Sequence, residues 1–187
     1  TWDGIEWVFV TISGIQRFNF PDVYLGLLLG AMMAVQSALF YATGYFMDRI
    51  DKKYIITVGF GLLFTGSYFM FLSTNPAVFV LSALVATASV PWVMPGIEAL
   101  VTEIIPKKRY GAMSGVYDMS KDIGLAAGPF VGGLFASYMA NPLAAFLFVT
   151  IMAGLALVVS GDVFWPEHHE KNRKFINIFR FRREKIR

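Results

Sequence analysis

Five long apolar runs constrain this chain more than any other feature of its sequence. They place helices at about 22–47, 54–73, 76–105, 110–139 and 142–163. Each is long enough to cross the ~30 Å hydrocarbon core of a bilayer, which takes about 20 helical residues. Because backbone groups in that core must be hydrogen-bonded within their own segment, helices are expected there. The sequence therefore predicts an all-α membrane protein that crosses the bilayer repeatedly.

The composition agrees with this prediction. Of the 187 residues, 56% are hydrophobic and 16% are charged, whereas soluble domains are about 25% charged. A soluble fold of this length has too little interior to hide so much apolar surface. The chain has no cysteine and only two histidines, and it shows no phosphate loop or catalytic triad. We therefore predict no enzyme, no metal site and no cofactor.

Basic residues predict which side of the membrane each turn faces. Of the 16 lysines and arginines, three lie at 48–53, three at 106–109 and eight at 171–187. The turns Asn75-Pro76 and Asn141-Pro142 contain none. If the helices alternate in direction, all three basic segments lie on one side, which the positive-inside rule makes cytoplasmic. We expect a multi-pass protein of the cell membrane with a cytoplasmic C-terminal tail.

The first 20 residues differ from the rest of the chain. Trp7–Ile15 is apolar but too short to span, and the chain begins with Thr1 rather than Met. We interpret residues 1–20 as a partial transmembrane helix stub and outer loop. Residues 21–165 are then a five-helix transmembrane bundle, and 166–187 a basic cytoplasmic tail.

Small residues recur every four positions on two of the predicted helices. Lipid offers no hydrophobic drive for helix association, so small residues favour contact by letting backbones approach closely. Both helices are therefore expected to pack on other helices. The two stripes are Gly26, Gly30, Ala34, Ala38 and Ala42, and Gly124, Gly128, Gly132 and Ala136.

The turn from Gly44 to Lys53 carries a resemblance to a known family. It reads GYFMDRIDKK and resembles the G-x-x-x-D-R-x-G-R-K loop of the major facilitator superfamily, although Asp51 replaces the second glycine. An ordinary basic inner loop is the alternative interpretation. The resemblance implies a cytoplasmic latch that stabilises one conformation, formed by Gly44, Asp48, Arg49, Lys52 and Lys53.

A second resemblance lies further along the chain. Residues 103–111, EIIPKKRYG, precede the run Gly124-x3-Gly128-Pro129-x2-Gly132-Gly133. Together they are similar to the E-x-x-P-x-x-x-R-G loop and G-x3-G-P-x2-G-G helix of the same superfamily. Pro129 removes an i−4 hydrogen bond and is expected to kink its helix. The resemblance covers about residues 20–165 and implies a six-helix half-bundle, with five full transmembrane helices and one partial.

The superfamily has two such halves, and the chain resembles the second more closely. Residues 117–124, YDMSKDIG, resemble the entry to helix eleven of efflux-type members. We favour the C-terminal half, helices seven to twelve; the alternative is the first half followed by part of the central loop. Either way, the other six-helix half is an expected partner that this chain lacks.

Charged residues inside the membrane are expensive and rarely idle. Asp118, Lys121 and Asp122 share one face of the fourth full helix, and Glu98 lies in the third. They predict a proton-coupling or substrate-charge site; an ion pair near the cytoplasmic mouth is the alternative. Two acids of the partial helix, Asp3 and Glu6, are further groups for the cavity.

Polar and helix-breaking residues mark a candidate cavity and gate. Gln36 is predicted either to line the cavity or to join helices, and Trp92 to form an aromatic wall. Pro91 and Pro95 interrupt the third full helix, and interrupted helices mark gating regions in transporters. A static kink is the alternative for these prolines.

The resemblance implies a secondary active transporter that works by alternating access. We expect proton-coupled export of a small organic solute, with the lipid bilayer and that solute as partners. A proton-coupled importer of a sugar or other metabolite is one alternative, and a non-transporting membrane scaffold or sensor is another. The tail mixes basic residues with Phe and Ile, which suits an anionic membrane surface rather than nucleic acid.

Overall fold

The computed structural model describes residues 2–47, 49–105 and 110–164. Within these ranges the chain is helical apart from short turns and contains no strand, so the all-α prediction is confirmed. We number the helices of this described part from the N-terminus. They are α1 (residues 2–18), α2 (Asp22–Met47), α3 (Lys52–Leu72), α4 (residues 76–104), α5 (Tyr110–Tyr138) and α6 (Ala144–Phe164).

Local chemistry accounts for several helix ends. Asn19 ends α1 in the left-handed region, at φ 52°, and its N–H bonds to the carbonyls of Gly14 and Ile15. At the start of α4, the Asn75 side chain accepts from the N–H of Ala77 at 2.9 Å, and a proline follows at the first helical position. This is the cap expected of an Asn-Pro start.

The second Asn-Pro turn behaves differently. The Asn141 side chain accepts from the N–H of Leu143 at 3.1 Å, but α6 begins only at Ala144. The predicted start at residue 142 was therefore two residues too early, because Asn141 caps a separate turn. Ala140, with φ 48°, reverses the chain just before it.

The length of the helices supports a membrane-embedded bundle. By length and composition, three described segments could span a bilayer: Asp22–Met47, Lys52–Leu72 and Pro76–Thr102. The apolar part of α6, Ala144–Ser160, is shorter. Although α5 runs for 29 residues, it carries three charged side chains. Within the described residues, three of the five predicted full spans are thus long and apolar enough to cross a bilayer.

The bundle is organised around α3, which packs against both α4 and α6. On one side α2 packs against α4, and on the other α5 packs against α6 and α1. Large apolar side chains at these contacts are buried, among them Ile5, Met70, Phe79 and Phe146. This order leaves α2 and α5 with long exposed faces.

The two small-residue stripes have different surroundings. On α5, a side chain at Gly132 would meet Ile5, Phe9 and Ala145, so this stripe packs on α1 and α6 as predicted. On α2, positions Gly26 and Gly30 have no described atom within 4 Å of a built side-chain carbon. The α2 stripe therefore does not pack within the described bundle, because α2 contacts α4 through another face.

Candidate functional site

A buried carboxyl group lies on α1. Glu6 is 5% exposed and begins a π-helical segment, Glu6–Val10, between two α-helical stretches. A π-helical segment widens the helix by one residue per turn and is frequent at functional sites. Burying a charged group is costly unless it has a partner, so the partners of Glu6 decide its role.

The hydrogen-bond partner of Glu6 is Thr87, which is fully buried. The Thr87 hydroxyl donates to Oε1 of Glu6 and accepts from Nε2 of Gln36 at 3.1 Å. Thr87 ends the first part of α4, just before the helix is interrupted at Ala88 and Ser89. These three side chains therefore join α1, α2 and α4 at the interruption of α4.

A small pocket opens beside this chain of hydrogen bonds. Its volume of about 70 Å³ holds a few waters but is far below the ~300–1,000 Å³ of a drug-sized site. Two acids, a glutamine and apolar side chains including two methionines form its wall. Methionine adapts its shape to different neighbours. The lining residues are Asp3, Glu6, Trp7, Leu29, Met32, Met33 and Gln36.

The predicted charged site on α5 lies apart from this pocket's lining. Asp118 and Lys121 face each other at 3.6 Å, one helical turn apart, and both side chains are exposed. Asp122 and Glu98 are exposed as well. Glu98, Asp118 and Lys121 all interact electrostatically with Tyr117, so these charges of α4 and α5 share one region.

Lys121 connects that region to α1, because it also interacts electrostatically with Asp3. Asp3 in turn lines the pocket beside Glu6. Asp3 thus lies between the pocket that contains the buried Glu6 and the exposed charges of α5.

The cavity candidates Gln36 and Trp92 have separate locations. Gln36 lines the pocket and also bonds to Thr87 of α4, so its location is compatible with either interpretation of its role. The Trp92 ring stacks on Phe46 of α2, with centroids 5.9 Å apart, and Trp92 is absent from the pocket lining. Its contacts join α2 to α4 rather than form a wall for this pocket.

The candidate hinge residues lie at the interruption of α4 and around Pro129, which lies inside the continuous helix α5. Pro91 lies at the start of the second part of α4, and Pro95 lies inside it. On α5, Pro129 has no N–H to bond with the Leu125 carbonyl, and a side chain at Gly4 would strike both residues. Glycine at position 4 therefore lets α1 pack closely on this part of α5. The neighbouring glycines are Gly124, Gly128, Gly132 and Gly133.

The candidate latch surrounds a hollow at the α2–α3 turn. The Arg49 guanidinium lies 4.1 Å from the centroid of the Tyr45 ring, and Gly44 has open space around it. Leu100 of α4 also lines this hollow of about 370 Å³, together with Met47, Arg49, Ile50, Asp51, Lys52 and Lys53. Asp48 and residues 106–109 lie outside the described residues.

Sequence reasoning gave Glu6 less weight than Asp118 and did not single out Thr87. The available signal for Glu6 was an acid within an apolar segment. Thr87 carried no comparable signal, because threonines in apolar helices commonly bond to the carbonyl four residues earlier. Thr43 and Thr57 do so here.

Comparison with known proteins supports the family resemblance that the two loops carry. The family model described as Major Facilitator Superfamily matches residues 4–179. The match includes α2 to α6 in full and α1 from residue 4 onward.

Two relatives have names that concern drug resistance. The chain is 35% identical over 117 residues to the quinolone resistance protein NorA of Staphylococcus aureus (strain Mu50 / ATCC 700699), a match covering 60% of this chain and 29% of NorA. It is 28% identical over 138 residues to multidrug resistance protein 2 of Bacillus subtilis (strain 168), covering 73% of this chain and 34% of that protein. The chain thus spans about a third of the length of these relatives.

Proposed function

The chain belongs to the Major Facilitator Superfamily, and we propose that it is part of a secondary transporter that exports a small organic solute in exchange for protons. Its relatives are resistance proteins, which supports export over import. It is a multi-pass membrane protein, and its basic C-terminal tail lies on the cytoplasmic side. No catalytic chemistry is required of it.

The observation that carries this proposal is the buried Glu6 carboxyl beside a pocket at the junction of three helices. Acids inside a membrane bundle mark ion pathways and proton relays. An acid that shares a pocket with substrate-facing groups allows a proton and a solute to influence each other's binding. Asp118, Lys121 and Asp122 supply a second set of charges for the same cavity.

Alternating access requires parts that move against one another. The interruption of α4 and the Pro129 segment of α5 supply the hinges, and the Arg49 turn supplies the latch of one state. The other six-helix half covers the exposed faces of α2 and α5. A pocket of about 70 Å³ is then the corner of a larger cavity that both halves enclose.

Transport by the full-length protein in proteoliposomes tests the proposal. Ethidium, a fluorescent organic cation, is followed under an imposed pH gradient. Glu6→Gln is expected to lose gradient-driven transport while keeping ethidium exchange at equal pH, because the carboxamide fits the site but binds no proton. Asp22→Asn, an exposed acid at the start of α2, is the matched control and keeps driven transport.

The other outcomes separate the rival functions. Uptake in the direction of proton entry indicates an importer. Absence of flux for ethidium and for a panel of neutral solutes indicates a scaffold or sensor. Loss of driven transport in Asp118→Asn but not in Glu6→Gln moves the coupling site from α1 to α5.

A further inference from the structure

The single hydroxyl proton of Thr87 links the hydrogen bonds of its two neighbours, Glu6 and Gln36. A hydroxyl has one proton to donate and two lone pairs that accept. In the structure the proton goes to Glu6, and Gln36 donates to the hydroxyl oxygen. The orientation of the Gln36 amide is therefore tied to the proton on Thr87, and through it to Glu6.

The direction of this chain depends on whether Glu6 holds a proton. An ionised carboxylate only accepts, so Thr87 must donate to it and Gln36 must present its NH₂ group to Thr87. A protonated carboxyl donates its own O–H to Thr87. The Thr87 proton is then available to the Gln36 carbonyl, provided that the amide turns over.

We propose that Thr87 is a positioning residue that relays the protonation of Glu6 to Gln36, so that the Gln36 amide reverses at the pocket wall. With Glu6 ionised, the Gln36 carbonyl faces the pocket and accepts hydrogen bonds from a solute. With Glu6 protonated, the NH₂ group faces the pocket instead. This inference rests on the proposed proton-coupled transport and adds a route from the proton to the solute-facing surface.

The charged groups near Glu6 do not provide another hydrogen-bonded connection from Glu6 to Gln36. Asp3 acts on Glu6 from the same helix, and Lys121 of α5 acts on Asp3. Among the described residues, α2 and α4 bring the neutral side chains of Gln36 and Thr87 into contact with this site. Asp3 and Lys121 therefore influence proton binding, whereas Thr87 connects Glu6 to Gln36 by hydrogen bonds.

Three substitutions distinguish a hydrogen-bonded relay through Thr87 from a role of Thr87 in packing alone. Thr87→Val keeps the shape of the side chain and removes the hydroxyl. Thr87→Ser keeps the hydroxyl and removes a methyl group, so it is the control for packing. Thr87→Ala is a second variant without a hydroxyl, for use if the valine variant does not fold.

Infrared difference spectroscopy of the full-length protein in liposomes reads both ends of the relay without a solute. The wild-type difference spectrum between acidic and neutral pH is expected to contain two bands. One is a carboxylic acid band, assigned to Glu6 by its loss in Glu6→Gln. The other is an amide carbonyl band, assigned to Gln36 by its loss in Gln36→Leu. In Thr87→Val the first band remains and the second is lost. Thr87→Ser shows both.

The Gln36 band decides the inference. Its presence in Thr87→Val or in Thr87→Ala, or its absence in the wild type, overturns the relay even if Glu6→Gln shows that transport is proton-coupled. Conversely, the expected bands in a protein that moves neither ethidium nor any neutral solute of the panel support the relay and refute the proposed function. A missing Glu6 band in the wild type overturns both proton binding at this residue and the relay.

Discussion

At the scale of single residues, two kinds of charged site occur in this bundle. Glu6 is buried and has a specific hydrogen-bond partner on another helix. Asp118 and Lys121 form an exposed pair within one helix, with a separation of 3.6 Å. Removing one partner of a buried pair leaves a polar group unsatisfied, whereas an exposed pair is readily replaced by water.

This difference predicts that Asp118→Asn barely changes stability. An exposed ion pair contributes about 0.2–1 kcal/mol, so the free energy of unfolding is expected to fall by less than about 1 kcal/mol. Thermal denaturation of the full-length protein in detergent, compared with wild type, measures this change. A loss of several kcal/mol contradicts the prediction and indicates that another part of the protein buries the pair.

Capping supplies a second prediction at this scale. The Asn75 side chain satisfies the N–H of Ala77 at the start of α4. Asn75→Ala removes that acceptor and is expected to cost about 1 kcal/mol, while Asn75→Asp keeps it and costs less. Denaturation midpoints of the two variants give the comparison, and equal midpoints show that water replaces the cap.

At the scale of helices, α3 and α4 approach closely through glycines. A side chain built on Gly66 would place its carbon 2.5 Å from the backbone nitrogen of Ala86. A side chain built on Gly59, about two helical turns earlier, would likewise meet Trp92 and Val93. The nearest obstructing atoms at Gly66 are backbone N and Cα of Ala86 and its Cβ, and none of them can move aside as the end of a flexible side chain does.

Gly66→Ala is therefore expected to destabilise the bundle. Inserting a methyl group into a packed contact costs about 1–3 kcal/mol, and here it must separate α3 from α4. Gly61→Ala is the matched control on the same helix, since no described atom lies within 4 Å of its built side-chain carbon. Unfolding midpoints in detergent should fall for the first variant only. A similar midpoint for both would show that the helices reposition at little cost.

At the scale of the whole molecule, the described helices bury one side of α2 and leave its small-residue stripe uncovered. Gly26, Gly30, Ala34 and Ala38 are all exposed, although such stripes normally pack on other helices. We propose that the other six-helix half of the transporter covers them.

Gly30→Leu tests this assembly in the full-length protein. The added side chain is expected to hold the two halves apart and to lower ethidium transport at least tenfold, a cost of about 1.4 kcal/mol or more in the barrier. Gly61→Leu on α3, with the same chemical change in open space, is expected to keep transport. Proteoliposome flux with matched protein amounts measures both variants. Normal flux in Gly30→Leu would indicate that the α2 stripe faces lipid.

Part of this fold is determined by residues that are neighbours along the chain. The helices at 22–47 and 76–104 follow from apolar length and from the Asn75-Pro76 start, which depend on neighbouring residues alone. The all-α membrane fold and the superfamily were predictable from such signals and from the two loops. The site was only partly predictable, since Gln36 was recognised as polar in an apolar helix without its partner.

The sequence by itself determined that the chain forms membrane helices, where most of them begin and end, and which turns are basic. Only the tertiary structure decided that Glu6, Thr87 and Gln36 meet, although 81 and 51 positions separate the bonded residues along the chain. It also decided that the α5 stripe packs against neighbouring helices while most of the α2 stripe is exposed. The physical reason is that periodicity defines a helix face, whereas the rotation of each helix against its neighbours selects which face is covered.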